Sequence, residues 1–155
     1  MRLRPALLAV VFVLAGCGSG GGTGSLPTVD VVLGTGVGAL TIKAEVAATP
    51  DDRSTGLMGR ESLAPDTGML FVFREPVHVS FYMKDTLIPL DIAFIGQGRV
   101  LEVRTMEPCR VARCPLTTPA ASYEMALEVD EGTFQREGVL AGTSVDIKGD
   151  LPTAS

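Results

Sequence analysis

Short apolar runs rich in β-branched and aromatic residues, separated by tight turns, limit the folds open to this chain. In residues 39–46, Leu40, Ile42, Ala44 and Val46 alternate with polar side chains, which is the period of a half-buried strand. The preceding GTGVG supplies residues that tolerate the positive φ angles of a hairpin. Seven further runs have strand character: 29–33, 68–73, 77–83, 91–96, 99–106, 122–129 and 144–147.

Two short helices complete the predicted set of elements. Thr49 before Pro50 has the character of an N-cap and predicts a helix from Pro50 to about Met58, and residues 130–138 predict a second one. The strands are joined by turns rather than by long helical crossovers. The sequence therefore predicts an α+β, mainly β domain, with about eight short strands in a compact antiparallel barrel-like sheet or sandwich.

The amino terminus resembles a bacterial lipoprotein signal. Arg2 and Arg4 precede an apolar run that is too short to span a bilayer, and the run ends in Leu-Ala-Gly before Cys17. The resemblance implies a signal peptide at 1–16, lipidation of Cys17 and attachment to the extracytoplasmic side of the bacterial cell envelope. A plain secretory signal with an incidental Cys17 is the alternative. We expect a Gly/Ser-rich tether at 17–28, one globular domain at 29–149 and a frayed tail at 150–155.

Cys109 and Cys114 form a close pair between two proline residues. Outside the cytoplasm such a pair is typical of a structural disulfide, which here would pin a loop between two strands. A redox pair or a metal clip is the alternative. The spacing is not C-x-x-C, however, and the sequence has no second Cys/His pair to complete a zinc site.

The charge of the chain argues against nucleic acid as a partner. The formal net charge is −5, and no basic run or basic-aromatic interleaving occurs. After the signal, no apolar segment is long and uncharged enough to predict a transmembrane helix. The partners expected from the sequence are a membrane, through Cys17, and an unknown small ligand or envelope protein.

The stretches RSTGLMGRESLAPDTGMLFVF, FYMKDTLIPLDIAFI and LEVDEGTFQREGVLAGTSVDI resemble a widespread bacterial and archaeal family called domain of unknown function one-ninety-two. The resemblance covers roughly residues 44–147 and implies a compact, mostly β domain, but no activity. The chain departs from the family pattern at three positions. Tyr82 stands where an indole is usual, Asp85 where Asn is usual, and Gly59 where a bulky residue is usual.

Charged residues within these motifs are the candidate site. We interpret five of them as contacts for a ligand: Arg53, Arg60, Lys84, Asp85 and Asp91. Thr86, beside Asp85, would add a donor and an acceptor. The competing interpretation is a structural brace, with Asp91 or Asp85 paired to Arg53 or Arg60, because buried ions are usually paired.

The function predicted from these features is a non-enzymatic module that binds a small ligand or an envelope partner, with no cofactor. One alternative is a small hydrolase that uses Asp91, Asp85 or both as acid/base. A weaker alternative is a copper carrier, because thioether sulfur suits Cu(I) and the domain contains five methionines: Met58, Met69, Met83, Met106 and Met125. Core packing is the competing role for these methionines. The single histidine, His78, has no nucleophile pattern beside it.

Overall fold

A computed structural model describes residues 25–155. The predicted signal peptide, Cys17 and most of the predicted tether lie outside these described residues. Within residues 25–155, no helix is both long and apolar enough to cross a membrane.

Seven strands form one sheet in the spatial order β5-β4-β6-β3-β2-β1-β7. They are β1 (Thr28–Leu33), β2 (Leu40–Ala47), β3 (Thr67–Val77), β4 (Leu90–Gly96), β5 (Arg99–Met106), β6 (Tyr123–Asp130) and β7 (Val145–Lys148). The helices are α1 (Pro50–Thr55) and α2 (Thr133–Arg136). Neighbouring strands are antiparallel except for β2 and β3, whose parallel pairing is made possible by the connection that contains α1.

The sheet curls into a half-barrel, so that its two edge strands approach each other at one corner. The amide of Val100 donates to the carbonyl of Thr143, and the amide of Val145 donates to the carbonyl of Gly98, both at 2.8 Å. An isolated antiparallel bridge joins Arg99 to Ser144 at the same corner. The predicted class, a mainly β and largely antiparallel barrel-like sheet with two short helices, is confirmed.

One predicted strand, at residues 77–83, is wrong. Strand β3 continues to Val77, and the chain then leaves the sheet, apart from an isolated bridge between Phe81 and Thr117. Phe81 instead lies across one face of the sheet, in edge-to-face contact with Phe71 at 5.0 Å and Phe94 at 5.9 Å between ring centroids. The apolar run at 77–83 therefore indicates burial rather than pairing within the sheet.

The first predicted helix is shorter than expected. Helix α1 has the predicted N-cap: the Thr49 hydroxyl accepts from the Asp52 amide, and Pro50 opens the helix. It ends at Thr55 rather than near Met58, because Gly56 has a φ of +48° and stops the helical path.

Two hydrophobic clusters cover the two faces of the sheet. In β3, Leu70 and Val72 belong to the first cluster, while Met69 and Phe71 belong to the second, as the strand period requires. Strand β4 is buried along its whole length, because both of its faces are covered. Three methionines, Met69, Met83 and Met106, are also buried in the second cluster, which fits the packing interpretation.

Candidate ligand-binding cavity

Arg60 and Arg53 each have a structural partner in the fold. The Arg60 guanidinium donates two hydrogen bonds to the Glu45 carboxylate, at 2.9 and 2.5 Å. Arg53 donates to the carbonyl oxygens of Ala48 at 2.6 Å and Val72 at 2.9 Å, which ties α1 to β3. Neither arginine pairs with Asp85 or Asp91, so the ion pairs proposed for the structural brace are wrong.

Asp91 is buried and serves as a brace with different partners. Its carboxylate accepts from the Thr105 hydroxyl at 2.8 Å and from the Phe134 amide at 3.3 Å. Phe134 lies in the first turn of α2, whose N-cap, Gly132, has no side chain to cap the helix. Asp91, from strand β4, therefore caps the amino-terminal end of helix α2 and joins β4, β5 and α2.

Lys84 and Asp85 lie on the surface. Their side chains are 64% and 69% exposed, and the Lys84 ammonium is 3.9 Å from the Asp85 carboxylate. Asp85 has a φ of +55°, which Asp and Asn adopt more readily than most residues, and its carbonyl accepts from the Gly59 amide at 2.8 Å. The backbone conformation gives a physical reason for either Asp or Asn at this position.

The five predicted ligand contacts do not line one cavity. Lys84 and Asp85 border a shallow cavity beside Cys109 and Cys114. Asp91 borders a second cavity with Thr105, and Arg53 borders a third. The acid–base pair of the hydrolase alternative, Asp85 and Asp91, is thus divided between two cavities.

We expect Asp91→Asn to destabilise the fold by about 1 kcal/mol, because the neutral amide oxygen accepts the Phe134 hydrogen bond more weakly than a carboxylate does, and the amide NH₂ requires the Thr105 hydroxyl to turn from donor to acceptor. The matched change Asp85→Asn should cost less than about 0.5 kcal/mol, since its side chain is exposed and Asn tolerates the same φ. Urea unfolding of both variants checks this. Equal stability of the two would contradict the bracing role of Asp91.

A different cavity has the features of a ligand site. It has a volume of about 140 Å³ and lies between the end of α1, strand β3 and the segment after β3. The side chains that give it an apolar and aromatic wall are Leu57, Met58, Phe71, Phe73, Val79, Phe81 and Tyr82. The polar residues that line it are Arg53, Ser54, Thr55, Ser80, Thr86 and Glu128, and of these Thr86 and Glu128 are buried. Apolar walls with a few polar groups are typical of small-molecule sites.

Glu128 on β6 lines this cavity, which we call the Glu128 cavity. The residue is only 5% exposed, and its cross-strand neighbours are Met69 and Ile92. Burial raises the pKa of its carboxyl from 4.5 to about 8, because desolvation disfavours the charged form. Within residues 25–155, no cation or hydrogen bond offsets this effect. Glu128 is therefore a largely protonated acid at neutral pH.

Local structure explains the shape of this cavity. An added Cβ on Gly56 would lie 3.3 Å from Cζ of Phe71, so glycine lets the end of α1 turn closely against that ring. On the opposite side, the carbonyl of Val79 accepts from the Tyr123 hydroxyl at 3.0 Å. That bond fixes the segment carrying Phe81 over the sheet.

Sequence reasoning missed Glu128. In β6 the alternation of Tyr123, Met125, Leu127 and Val129 indicates one buried face and leaves Glu128 on the other. That other face is also covered, by the second hydrophobic cluster. The only local signal was Ala126, an apolar residue on the same face as Glu128.

The structure also shows how the two cysteines are paired and whether acidic, cysteine or histidine side chains cluster. Cys109 and Cys114 are joined by a disulfide bond with their Cα atoms 5.5 Å apart, in a loop between β5 and β6. Within the described part of the chain, no group of three or more His, Cys, Asp or Glu side chains is arranged to hold a metal ion.

The fold and the cavity define a small, curled half-barrel domain with a buried acid in an aromatic pocket. The chain belongs to the DUF192 family, described as "Uncharacterized ACR", whose profile matches residues 32–147. No curated protein sequence matches the chain.

Two solved structures are similar to this domain. One, from Sinorhizobium meliloti 1021, is designated a candidate transcription regulator. It is 32% identical, with a TM-score of 0.72, over 81% of this chain and 98% of its own. The other, from Novosphingobium aromaticivorans DSM 12444, is described as a protein of unknown function. It is 28% identical, with a TM-score of 0.71, over 91% of this chain and 94% of its own.

Proposed function

We propose that this domain binds a small organic ligand in the Glu128 cavity and acts as a binding module rather than as an enzyme. One observation carries the proposal: Glu128, a residue that is only 5% exposed and whose carboxyl has no hydrogen-bond or ion-pair partner within residues 25–155, lines an aromatic cavity. An unpaired buried acid destabilises a fold. A ligand group that pairs with Glu128 would offset this cost, which explains why the acid lies in a cavity wall.

The cavity's size favours a small ligand. Its volume of about 140 Å³ is close to the ~150 Å³ of an apolar cavity that accommodates benzene. Val79 and Tyr82 are 46% and 44% exposed, so the apolar wall continues to the protein surface. A ligand of one ring, or the end of a longer molecule, fits this space.

The other candidate functions have less support. The paired form of the hydrolase alternative needs Asp85 and Asp91 together, but they border separate cavities. The surface at Lys84 and Asp85 is open, and both side chains are well solvated. The Sinorhizobium meliloti protein is designated a candidate transcription regulator. Binding to DNA has less support for this chain, because its net charge of −5 is unfavourable for contact with phosphate backbones.

A pair of matched substitutions tests the site. We expect Val79→Trp, at the rim of the Glu128 cavity, to abolish binding of small aromatic fragments, because the indole would fill the entrance. Val111→Trp makes the same change in the cavity beside Lys84 and Asp85, where Val111 is 64% exposed, and should leave binding unchanged. Saturation-transfer NMR with a fragment set that includes benzyl alcohol measures both. If Val111→Trp alone removes binding, or if no fragment binds the wild type, the proposal fails.

We also propose that the domain is anchored by lipid at Cys17 on the extracytoplasmic side of the cell envelope. The Cys109–Cys114 disulfide supports this location, because structural disulfides persist mainly in oxidising compartments. Intact mass spectrometry of protein expressed in a bacterial host should show loss of residues 1–16 and added acyl mass, both absent from Cys17→Ser. An uncleaved chain, or cleavage without acylation, would contradict the anchor.

A further inference from the structure

We infer that the Glu128 cavity takes a small organic ammonium ion, a primary amine whose apolar body is about the size of a benzene ring. This inference rests on the proposed ligand-binding function and names the chemical class of the ligand. It follows from three features of the cavity: its unpaired carboxyl, its aromatic wall and its lack of a free cation.

The first feature is the carboxyl of Glu128, which offers two oxygen acceptors when ionised. A primary ammonium carries three N–H donors and a positive charge, so it can both pair with the carboxylate and hydrogen-bond to it. A neutral alcohol can make a hydrogen bond to Glu128 but cannot neutralise it. Among ligands of this size, an ammonium compensates a buried carboxylate most completely.

The aromatic wall is the second feature. Phe71, Phe81 and Tyr82 line the cavity together with Phe73, whose ring already lies 5.1 Å from the guanidinium of Arg53. Cations are attracted to the faces of such rings, and the attraction grows when water is excluded. The wall can therefore contact both an ammonium group and an apolar ligand body.

The third feature is the position of the one positive side chain nearby. Apart from Glu128, Arg53 is the only charged residue within 25–155 that lines the cavity, and Tyr82 is the only other titratable one. The Arg53 guanidinium donates to the carbonyl oxygens of Ala48, Val72 and Ser155 and lies over Phe73. These contacts hold Arg53 against the wall, and the ion-pairing position at Glu128 is left to the ligand.

Binding of an ammonium changes the protonation of Glu128. Without ligand, burial holds the pKa of its carboxyl at about 8, so most molecules carry the proton at pH 7. When the ammonium pairs with the carboxylate, that proton passes to the buffer and the ligand keeps its own. Binding at pH 7 should therefore release about one proton per ligand.

Isothermal titration calorimetry with benzylamine and benzyl alcohol tests the inference, since the two probes are similar in size but differ in charge. Titrations at pH 7 in phosphate and in MOPS, two buffers without a primary amine, measure the protons released from the difference in heat. We expect benzylamine to bind at least about tenfold more tightly than benzyl alcohol. Only benzylamine should release a proton.

The variant Glu128→Gln completes the test. It should weaken benzylamine at least about tenfold while benzyl alcohol keeps its affinity within about twofold, which also shows that the cavity is intact. If benzyl alcohol binds as well as benzylamine, and without dependence on Glu128, the ammonium inference is wrong while the proposed binding function stands. If neither probe nor any other fragment binds, both are wrong.

Discussion

Glu128→Gln is expected to stabilise the ligand-free protein at alkaline pH and to change its stability little near pH 4.5. The carboxyl has a pKa of 4.5 in an ordinary environment and of about 8 in the fold. Between these values the folded protein binds a proton that the unfolded chain has released, so wild-type stability falls as pH rises through this window. Above pH 8 this decrease in stability reaches its full size. The Gln variant avoids the decrease because its side chain does not ionise.

The magnitude of this effect follows from the size of the pKa difference. At about 1.4 kcal/mol for each pKa unit, the advantage of Gln above pH 8 is at most about 5 kcal/mol. Urea unfolding of the two proteins at several pH values from 4.5 to 9, in amine-free buffer, measures the difference directly. Other titrating groups cancel in this comparison, and Glu124→Gln on the same strand gives the baseline for loss of one carboxylate. A difference that does not change with pH would show that Glu128 is not a buried, unpaired acid.

Gly68→Ala is expected to destabilise the protein by roughly 3–5 kcal/mol or to prevent folding. Gly68 pairs with Val129 across β3 and β6, and an added Cβ would lie 2.2 Å from the Glu128 carbonyl oxygen and 3.0 Å from Cγ1 of Val129. No side-chain rotation relieves contact with a backbone oxygen, so the two strands would have to separate. The same separation would displace Glu128 and its cavity.

Gly96→Ala is the matched control for this substitution. Gly96 also lies in a strand, but its added Cβ would meet Cδ1 of Leu101 at 2.9 Å, and that side chain can move. We expect a cost of about 1 kcal/mol for Gly96→Ala by urea unfolding. A Gly68→Ala variant as stable as Gly96→Ala would show that β3 and β6 are not as closely packed as described.

Local sequence patterns predicted the elements whose environment is set by their neighbours along the chain. The alternation in β2 and the N-cap at Thr49 are examples, because strand period and helix capping act over a few residues. The strand predicted at 77–83 was wrong because an apolar run indicates burial. A segment can be buried by packing on the face of a sheet as well as by pairing within it. The register change in β3 between Val72 and Val77 gave no local signal.

The site was less predictable, because its residues meet through long-range packing. Asp91 was interpreted as a ligand contact, with a brace to Arg53 or Arg60 as the competing role, but its carboxylate bonds to the Thr105 hydroxyl and to the amide of Phe134, which lies 43 residues away. Glu128 looked like the polar half of an amphipathic strand, since nothing in the sequence shows that the segment after β3 covers that face. Lys84 and Asp85 interrupt an apolar stretch, but they do so at an exposed turn where charge is well solvated.

A crystal structure of the purified protein soaked with benzylamine shows whether an ammonium binds at Glu128. We expect density for the ring against the aromatic wall, with the nitrogen about 3 Å from a carboxyl oxygen of Glu128. The same soak of Glu128→Gln crystals should give lower occupancy of benzylamine in the cavity. An empty wild-type cavity, or benzylamine bound only on the surface beside Lys84 and Asp85, would contradict ammonium binding in the Glu128 cavity.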